Sequence, residues 1–208
     1  MEHLPNLLAI AGIWLAGVMT PGPNLLATVH FTLSRSRNHG LLVVLGLATG
    51  TTLWATASAF GLAALFARVE WLYLLLKLAG AGYLIFLGVR LMLSKGIGSV
   101  IHRASCESRP RGGITTFRVG ILTSLSNPKT AVFFASLYAS LMPLDPPLWL
   151  QLSSIAAIVT ISISWYGTMA ILFSDHRVAR RYEAARLWID RVTGGIFIGV
   201  GTAIAVER

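Results

Sequence analysis

The chain is poor in charge, and poorest in acid. Only 12% of its 208 residues are charged, with eight Asp or Glu against 17 Lys or Arg. A soluble domain usually carries about 25% charged residues. Cysteine is nearly absent: Cys106 stands alone, which excludes an internal disulfide, a Cys-x-x-Cys redox pair and a cysteine metal cage. There is no Gly-x-Ser-x-Gly elbow for a hydrolase and no His-Glu-x-x-His zinc motif. Long polar stretches are missing too. The longest, roughly 95–113, is too short to fold alone, so the chain reads as a single membrane domain over residues 1–208.

What is present is apolar. Hydrophobic residues make up 55% of the chain and its mean hydropathy is +0.70. A helix crossing a bilayer needs about 20 mostly apolar residues. Residues 4–33, 41–67 and 148–174 contain no Asp, Glu, Lys or Arg, while 71–88 is broken only by Lys77 and 119–144 only by Lys129. A sixth run, 192–206, is short and needs Leu187 and Trp188 to span, which draws in Asp190 and Arg191. The expected fold is therefore an all-α polytopic membrane protein of about six transmembrane helices. The N-terminus, Met1-Glu2-His3, puts no basic residue ahead of the first run, unlike a cleaved signal peptide.

The net charge of +9 and the isoelectric point near 10.6 suggest a nucleic-acid partner at first sight. The positions of the basic residues say otherwise, since they lie mostly between spans, where they orient a membrane protein. The first, third and fifth loops hold Arg35 and Arg37; Lys95, Arg103, Arg109 and Arg111; Arg177, Arg180, Arg181 and Arg186. The opposite side offers Arg68 and Arg208. Ten against two predicts cytoplasmic basic loops and both termini outside. The run His176, Arg177, Arg180, Arg181, Tyr182 and Arg186 is either such an orientation signal or a basic helix lying on anionic membrane lipid.

The first run is too long for one straight helix. Thirty residues would cover about 45 Å at about 1.5 Å each, against a hydrocarbon core of about 30 Å. Inside it stands Thr20-Pro21-Gly22-Pro23-Asn24, where two prolines remove donors and clash with the preceding turn, and Gly22 offers conformational freedom. The fourth run repeats this at Ser126-Asn127-Pro128-Lys129. Each break falls in the first span of a three-span half. The spacing predicts two inverted three-helix repeats, about 1–94 and 114–208, joined by a basic cytoplasmic loop at 95–113. Broken first and fourth helices of this kind meet near the midplane and bind a solute there. The alternative is that both breaks merely kink packing helices.

The chemistry at the breaks suits a zwitterion. Freed carbonyls accept from an ammonium group, and amides at half-helix starts donate to a carboxylate. Asn24 and Asn127 do either. Lys129 lies about 16 Å along a helix from Arg118, near the midplane, where an ionisable group needs a partner, a wet cavity or a function. Lys77, nearer the outer end of its span, either serves the same site or snorkels. The paired glycines Gly46/Gly50 and Gly195/Gly199 permit close helix packing within one chain or across a homodimer.

These residues resemble the LysE/RhtB family of amino-acid exporters over nearly the whole chain. Thr20-Pro21-Gly22-Pro23-Asn24 is similar to its first-helix signature; Lys77, Gly80, Ala81, Tyr83, Leu84 and Gly88 to its third-helix pattern; Gly120, Asn127, Pro128, Lys129, Phe133 and Phe134 to its fourth; Arg191, Gly195 and Gly199 to its last. The resemblance implies a secondary transporter in a bacterial inner membrane, exporting amino acids or close derivatives in exchange for protons, without a cofactor. The candidate site is Pro21, Gly22, Pro23, Asn24, Lys77, Gly80, Tyr83, Asn127, Pro128 and Lys129. With no acidic residue deep in a span, His30 is the nearest titratable candidate for a proton carrier, the alternative being that a lone His there is structural. A metal-ion exporter would want carboxylates, His or Cys, and the spans offer His30 without an Asp or Glu pair. An intramembrane enzyme would need a Ser–His pair converging at depth.

The orientation is directly testable. In a variant lacking Cys106, cysteines at Ser36 and at Ser108 should be protected from an impermeant thiol reagent in intact cells and labelled once the membrane is opened. Labelling of both in intact cells would invert the topology.

Overall fold

A computed structural model describes residues 3–66, 70–93 and 112–206. Among them the chain is all-α, with eight helices: α1 (Leu4–Met19), α2 (Pro23–Ser34), α3 (Arg37–Phe66), α4 (Glu70–Met92), α5 (Gly113–Leu125), α6 (Pro128–Leu141), α7 (Leu148–Leu172) and α8 (His176–Val206). The third loop lies outside the described residues. Three helical segments are long and apolar enough to cross a membrane: Arg37–Gly61, Leu148–Leu172 and Leu187–Val206. The pair α1 and α2, bent by 52° at its break, qualifies as a fourth. The weak sixth run thus reaches a full span by drawing in Leu187, Trp188, Asp190 and Arg191. The expected fifth loop shrinks to a turn, because the basic run from His176 onward is already the start of α8. Side chains 176–184 and 186 are outside the described ones.

The surface explains where such a molecule is stable. Leu45, Leu53 and Phe60 on α3, Leu152, Ile163 and Ile171 on α7, and Trp188, Val192 and Ile196 on α8 are all exposed. Apolar side chains spread over several helices in this way would be a liability in water and are at home against lipid. The chain is a polytopic helical membrane protein.

Inside, small residues decide the packing. α3 lies along α5, and a Cβ on Gly46 would run into the Phe117 carbonyl oxygen, while one on Gly120 would run into that of Val43. α4 lies along α8, where a Cβ on Gly88 would stand 2.6 Å from the Gly194 oxygen, and one on Gly201 2.8 Å from that of Ala81. Of the two glycine pairs expected to pack, Gly46/Gly50 does so within the chain. Gly195 and Gly199 face outward with nothing near them, and Gly194 and Gly201, on the adjoining face of α8, make the contact instead.

Several helix contacts come in matched pairs across the two halves. α3 packs on α5 as α7 packs on α1, α3 on α6 as α7 on α2, and α1 on α6 as α5 on α2. The contacts of α2 with α3, of α4 with α6 and of α1 with α8 have no counterpart of similar extent, and α3 meets α5 more extensively than α7 meets α1. The core between the halves is aromatic. Trp14 of α1 lies 4.6 Å from Phe134 and 5.6 Å from Phe133 by ring centroids, and Phe133 reaches Phe197 of α8 at 5.5 Å. Trp14 is pinned to α7 by its Nε1, which donates to the Ile158 carbonyl at 3.1 Å and to Ser162 Oγ at 2.9 Å. Asn6 Nδ2 donates to the Leu141 carbonyl at 2.7 Å, tying the start of α1 to the end of α6.

The glycine contacts give a clean comparison. Gly46→Leu or Gly120→Leu should cost about 1–3 kcal/mol or more through overpacking, seen as a lower thermal midpoint of the purified protein in detergent. Gly82→Ala, where nothing lies within 4 Å of the added Cβ, should leave the midpoint unchanged or raise it slightly, since alanine is the better helix former.

Candidate translocation site at the paired breaks

α1 ends at Met19, and its C-cap Thr20 turns extended at φ −71° and ψ 133°. The Thr20 hydroxyl donates back to the Gly17 carbonyl at 2.6 Å, satisfying one of the acceptors left over at the helix end. Pro23 then starts α2 at its first position, where a missing N–H costs nothing. Gly22 caps α2 with φ −163° and ψ −178°, extended backbone open to any residue. The conformational freedom expected of Gly22 is therefore not what the break uses. Space does not require glycine either, since a Cβ there would make an ordinary contact with Lys129 Nζ at 3.8 Å.

The second break is built differently. α5 ends at Leu125, with the Ser126 N–H donating to the Leu122 carbonyl at 2.8 Å. Asn127 is the N-cap of α6, and its Oδ1 accepts from the Lys129 backbone N–H at 3.1 Å. Pro128 occupies the first position of α6; its side chain is outside the described ones.

The two breaks meet. Asn127 Nδ2 donates to Asn24 Oδ1 at 3.2 Å, joining residues 103 apart in sequence, and both asparagines are buried. The Lys129 ammonium donates to Thr20 Oγ1 at the other break. Between them lies a small cavity lined by Trp14, Gly17, Val18, Thr20, Gly22, Asn24, Asn127, Lys129, Thr130, Phe133 and Tyr166. Its polar end gathers the Lys129 ammonium and the N-termini of α2 and α6, which favour an anion, with the C-termini of α1 and α5, which favour a cation. Among the described residues no carboxylate lines it. Asp190 of α8, 1% exposed, is nonetheless close enough to act on the Lys129 ammonium by charge.

Of the residues singled out in the sequence, Gly22, Asn24, Asn127 and Lys129 line the cavity, with Pro21, Pro23 and Pro128 in the breaks beside it. Gly80 and Tyr83 of α4 are not in the lining. Gly80 lets α4 approach α6, since a Cβ there would stand 2.8 Å from Ser140 Oγ, and the partly exposed Tyr83 ring lies 6.3 Å from that of Phe86. The Lys77 side chain is outside the described ones. His30 is half-buried on α2 and edges onto Phe31, away from the lining. Sequence reasoning missed Trp14, Gly17, Thr130, Phe133, Tyr166 and Asp190 as neighbours of the site. Helical spacing could have found Gly17, three residues before Thr20, and Phe133, four after Lys129. Tyr166 and Asp190 come from α7 and α8, far in sequence from both breaks, and no local signal places them.

The fold and the site define a helical membrane protein whose two interrupted helices meet at a small cavity. The chain belongs to the LysE type translocator family, which it matches over residues 15–208. It is 26% identical to the threonine efflux protein of Escherichia coli K12, over 97% of this chain and 98% of that one. It is 31% identical to the uncharacterized membrane protein YahN of the same strain, over 96% and 88%. To the homoserine/homoserine lactone efflux protein of Salmonella typhimurium LT2 it is 28% identical, over 91% of each chain. No solved structure matches the chain significantly.

The asparagine bridge predicts a coupling. Asn127→Ala removes an N-cap and the bridge together and should cost roughly 1–2 kcal/mol of stability. Asn24→Ala should cost less. Thermal unfolding of the double variant should show less than the sum of the two, and strict additivity would mean the bridge carries no energy.

Proposed function

We propose that the protein is a secondary transporter that exports a small amino acid or close derivative across the bacterial inner membrane in exchange for protons. The observation that carries this is the meeting of the two breaks, with Asn127 bonded to Asn24 and Lys129 bonded to Thr20 around one cavity. A substrate carboxylate is taken by the Lys129 ammonium and by amides at the starts of α2 and α6. The substrate ammonium goes to carbonyls freed at the ends of α1 and α5 and to the asparagine oxygens. Nothing is made or broken covalently, so the protein works as a carrier and not as an enzyme. The threonine and homoserine efflux proteins among its relatives support the same solute class.

In this reading the chain forms six spans, α1–α2, α3, α4, α5–α6, α7 and α8, arranged as two inverted repeats, 1–94 and 114–208. The matched helix contacts support it. The halves rock about the cavity and open it to each side in turn. The basic loops are cytoplasmic and both termini lie outside, in line with the ten-to-two distribution of basic residues. Membrane lipid covers the exposed leucines, and the outward Gly195/Gly199 face of α8 leaves room for a second copy of the chain. Asp190 replaces His30 as the proton carrier, because it is a buried carboxylate within electrostatic reach of the substrate-binding ammonium.

Lys129→Met removes the charge and keeps the apolar bulk. It should insert and accumulate normally yet lower export from loaded proteoliposomes by about tenfold or more, the scale of a lost hydrogen bond to a charged group. Lys129→Arg should recover part of the rate, because a planar fork replaces a compact ammonium imperfectly. Asp190→Asn should retain substrate-for-substrate exchange and lose export driven by a proton gradient. Full export by a well-expressed Lys129→Met protein would reduce the lysine to a packing feature.

A further inference from the structure

The cavity has two unlike ends. Thr20, Asn24, Asn127 and Lys129 hold the polar one. About one turn back along α1 and one turn on along α6, the lining becomes Gly17, Trp14 and Phe133, with Tyr166 from α7. A zwitterion anchored by its charged groups at the polar end must point its side chain toward the other. Gly17 is the place where that wall is thinnest. A Cβ added there would stand 3.0 Å from Phe133 Cζ and 3.4 and 3.5 Å from the two Cε atoms.

Phe133 has little freedom to move away. It is buried, and its ring is flanked by Trp14 at 5.6 Å and Phe197 at 5.5 Å. Trp14 in turn is held by its two hydrogen bonds to α7. A methyl group at position 17 therefore presses on the Phe133 ring, and any shift of that ring reshapes the apolar end of the cavity it lines. The backbone of α1 would accept the change, because Gly17 is an ordinary interior helical position and alanine is the better helix former.

We propose that Gly17, backed by Phe133, sets the largest side chain the cavity accepts. The inference rests on the export function proposed above and adds the specificity-determining pair. One face of the filter is α1, just before its break, and the other is α6, just after its own. The size limit is therefore read at the junction of the two halves, where any rocking motion changes the gap. Small side chains pass without touching Phe133, whereas branched or aromatic ones must displace it.

The test is a selectivity measurement. Purified wild type, Gly17→Ala and Phe133→Leu are placed in proteoliposomes and assayed for efflux of radiolabelled alanine, serine, threonine and leucine. Gly17→Ala should lower the threonine-to-alanine rate ratio by about tenfold, the lower end of what one methylene commands in a tight pocket. Phe133→Leu should raise the leucine-to-alanine ratio. Unchanged ratios in both variants, whatever happens to the absolute rates, would overturn the filter while leaving the export function standing. A wild type that moves none of the four would instead overturn the export function and the filter with it.

Discussion

A bilayer supplies no water to a broken helix. Every carbonyl and amide released at Thr20, Pro21 and Gly22, or at Ser126 and Asn127, must find a partner inside the protein or a wet cavity. The two breaks answer this together. Thr20 turns its hydroxyl back onto Gly17, Asn127 caps α6, and the asparagines of the two breaks bond to each other. Lys129, costly at that depth, reaches across to Thr20. The cavity lies between the two breaks. The site is thus the place where the backbone could not be closed, and the rest of the bundle holds the two open ends in register.

That register depends on small residues. Membrane helices gain little from burying apolar surface against each other, since lipid is as apolar as leucine, and they associate through close contact. Gly46 and Gly120 bring α3 against α5, Gly88 and Gly194 bring α4 against α8, and Gly80 brings α4 against α6. The aromatic cluster of Trp14, Phe133, Phe134 and Phe197 then fills the space beneath the breaks. Neither device would work alone. Close-packed glycines fix distances between helices, and the interlocked rings fix which residues face the cavity.

The helical membrane fold was legible from residue order because it is written in one dimension: apolar runs of spanning length, prolines inside two of them and basic residues between them. The breaks were equally legible, since proline acts on its own turn. Asn24, Asn127 and Lys129 followed from their places beside those prolines. What could not be read were side chains contributed across the bundle. Tyr166 and Asp190 lie far in sequence from both breaks, and nothing in their neighbourhoods marks them. Helix rotation was equally hidden: Gly195 and Gly199 carry the familiar four-residue spacing, but one residue is about 100° of turn, and Gly194 and Gly201 are the ones that pack. Gly80 and Tyr83 fitted a pattern on α4 whose local reason is packing against α6 and the outer surface, not the cavity.

In the proposed function the cavity serves both sides of the membrane, and its accessibility tests that most directly. Thr130 lines the cavity beside Lys129, and a cysteine there, in a variant lacking Cys106, offers one reporter at the junction of the halves. An impermeant thiol reagent should label it from the outside in intact cells and from the inside in inverted vesicles, and a transported amino acid should slow both reactions. Labelling from one side alone, or labelling indifferent to every amino acid offered, would contradict a single site that alternates between the two faces.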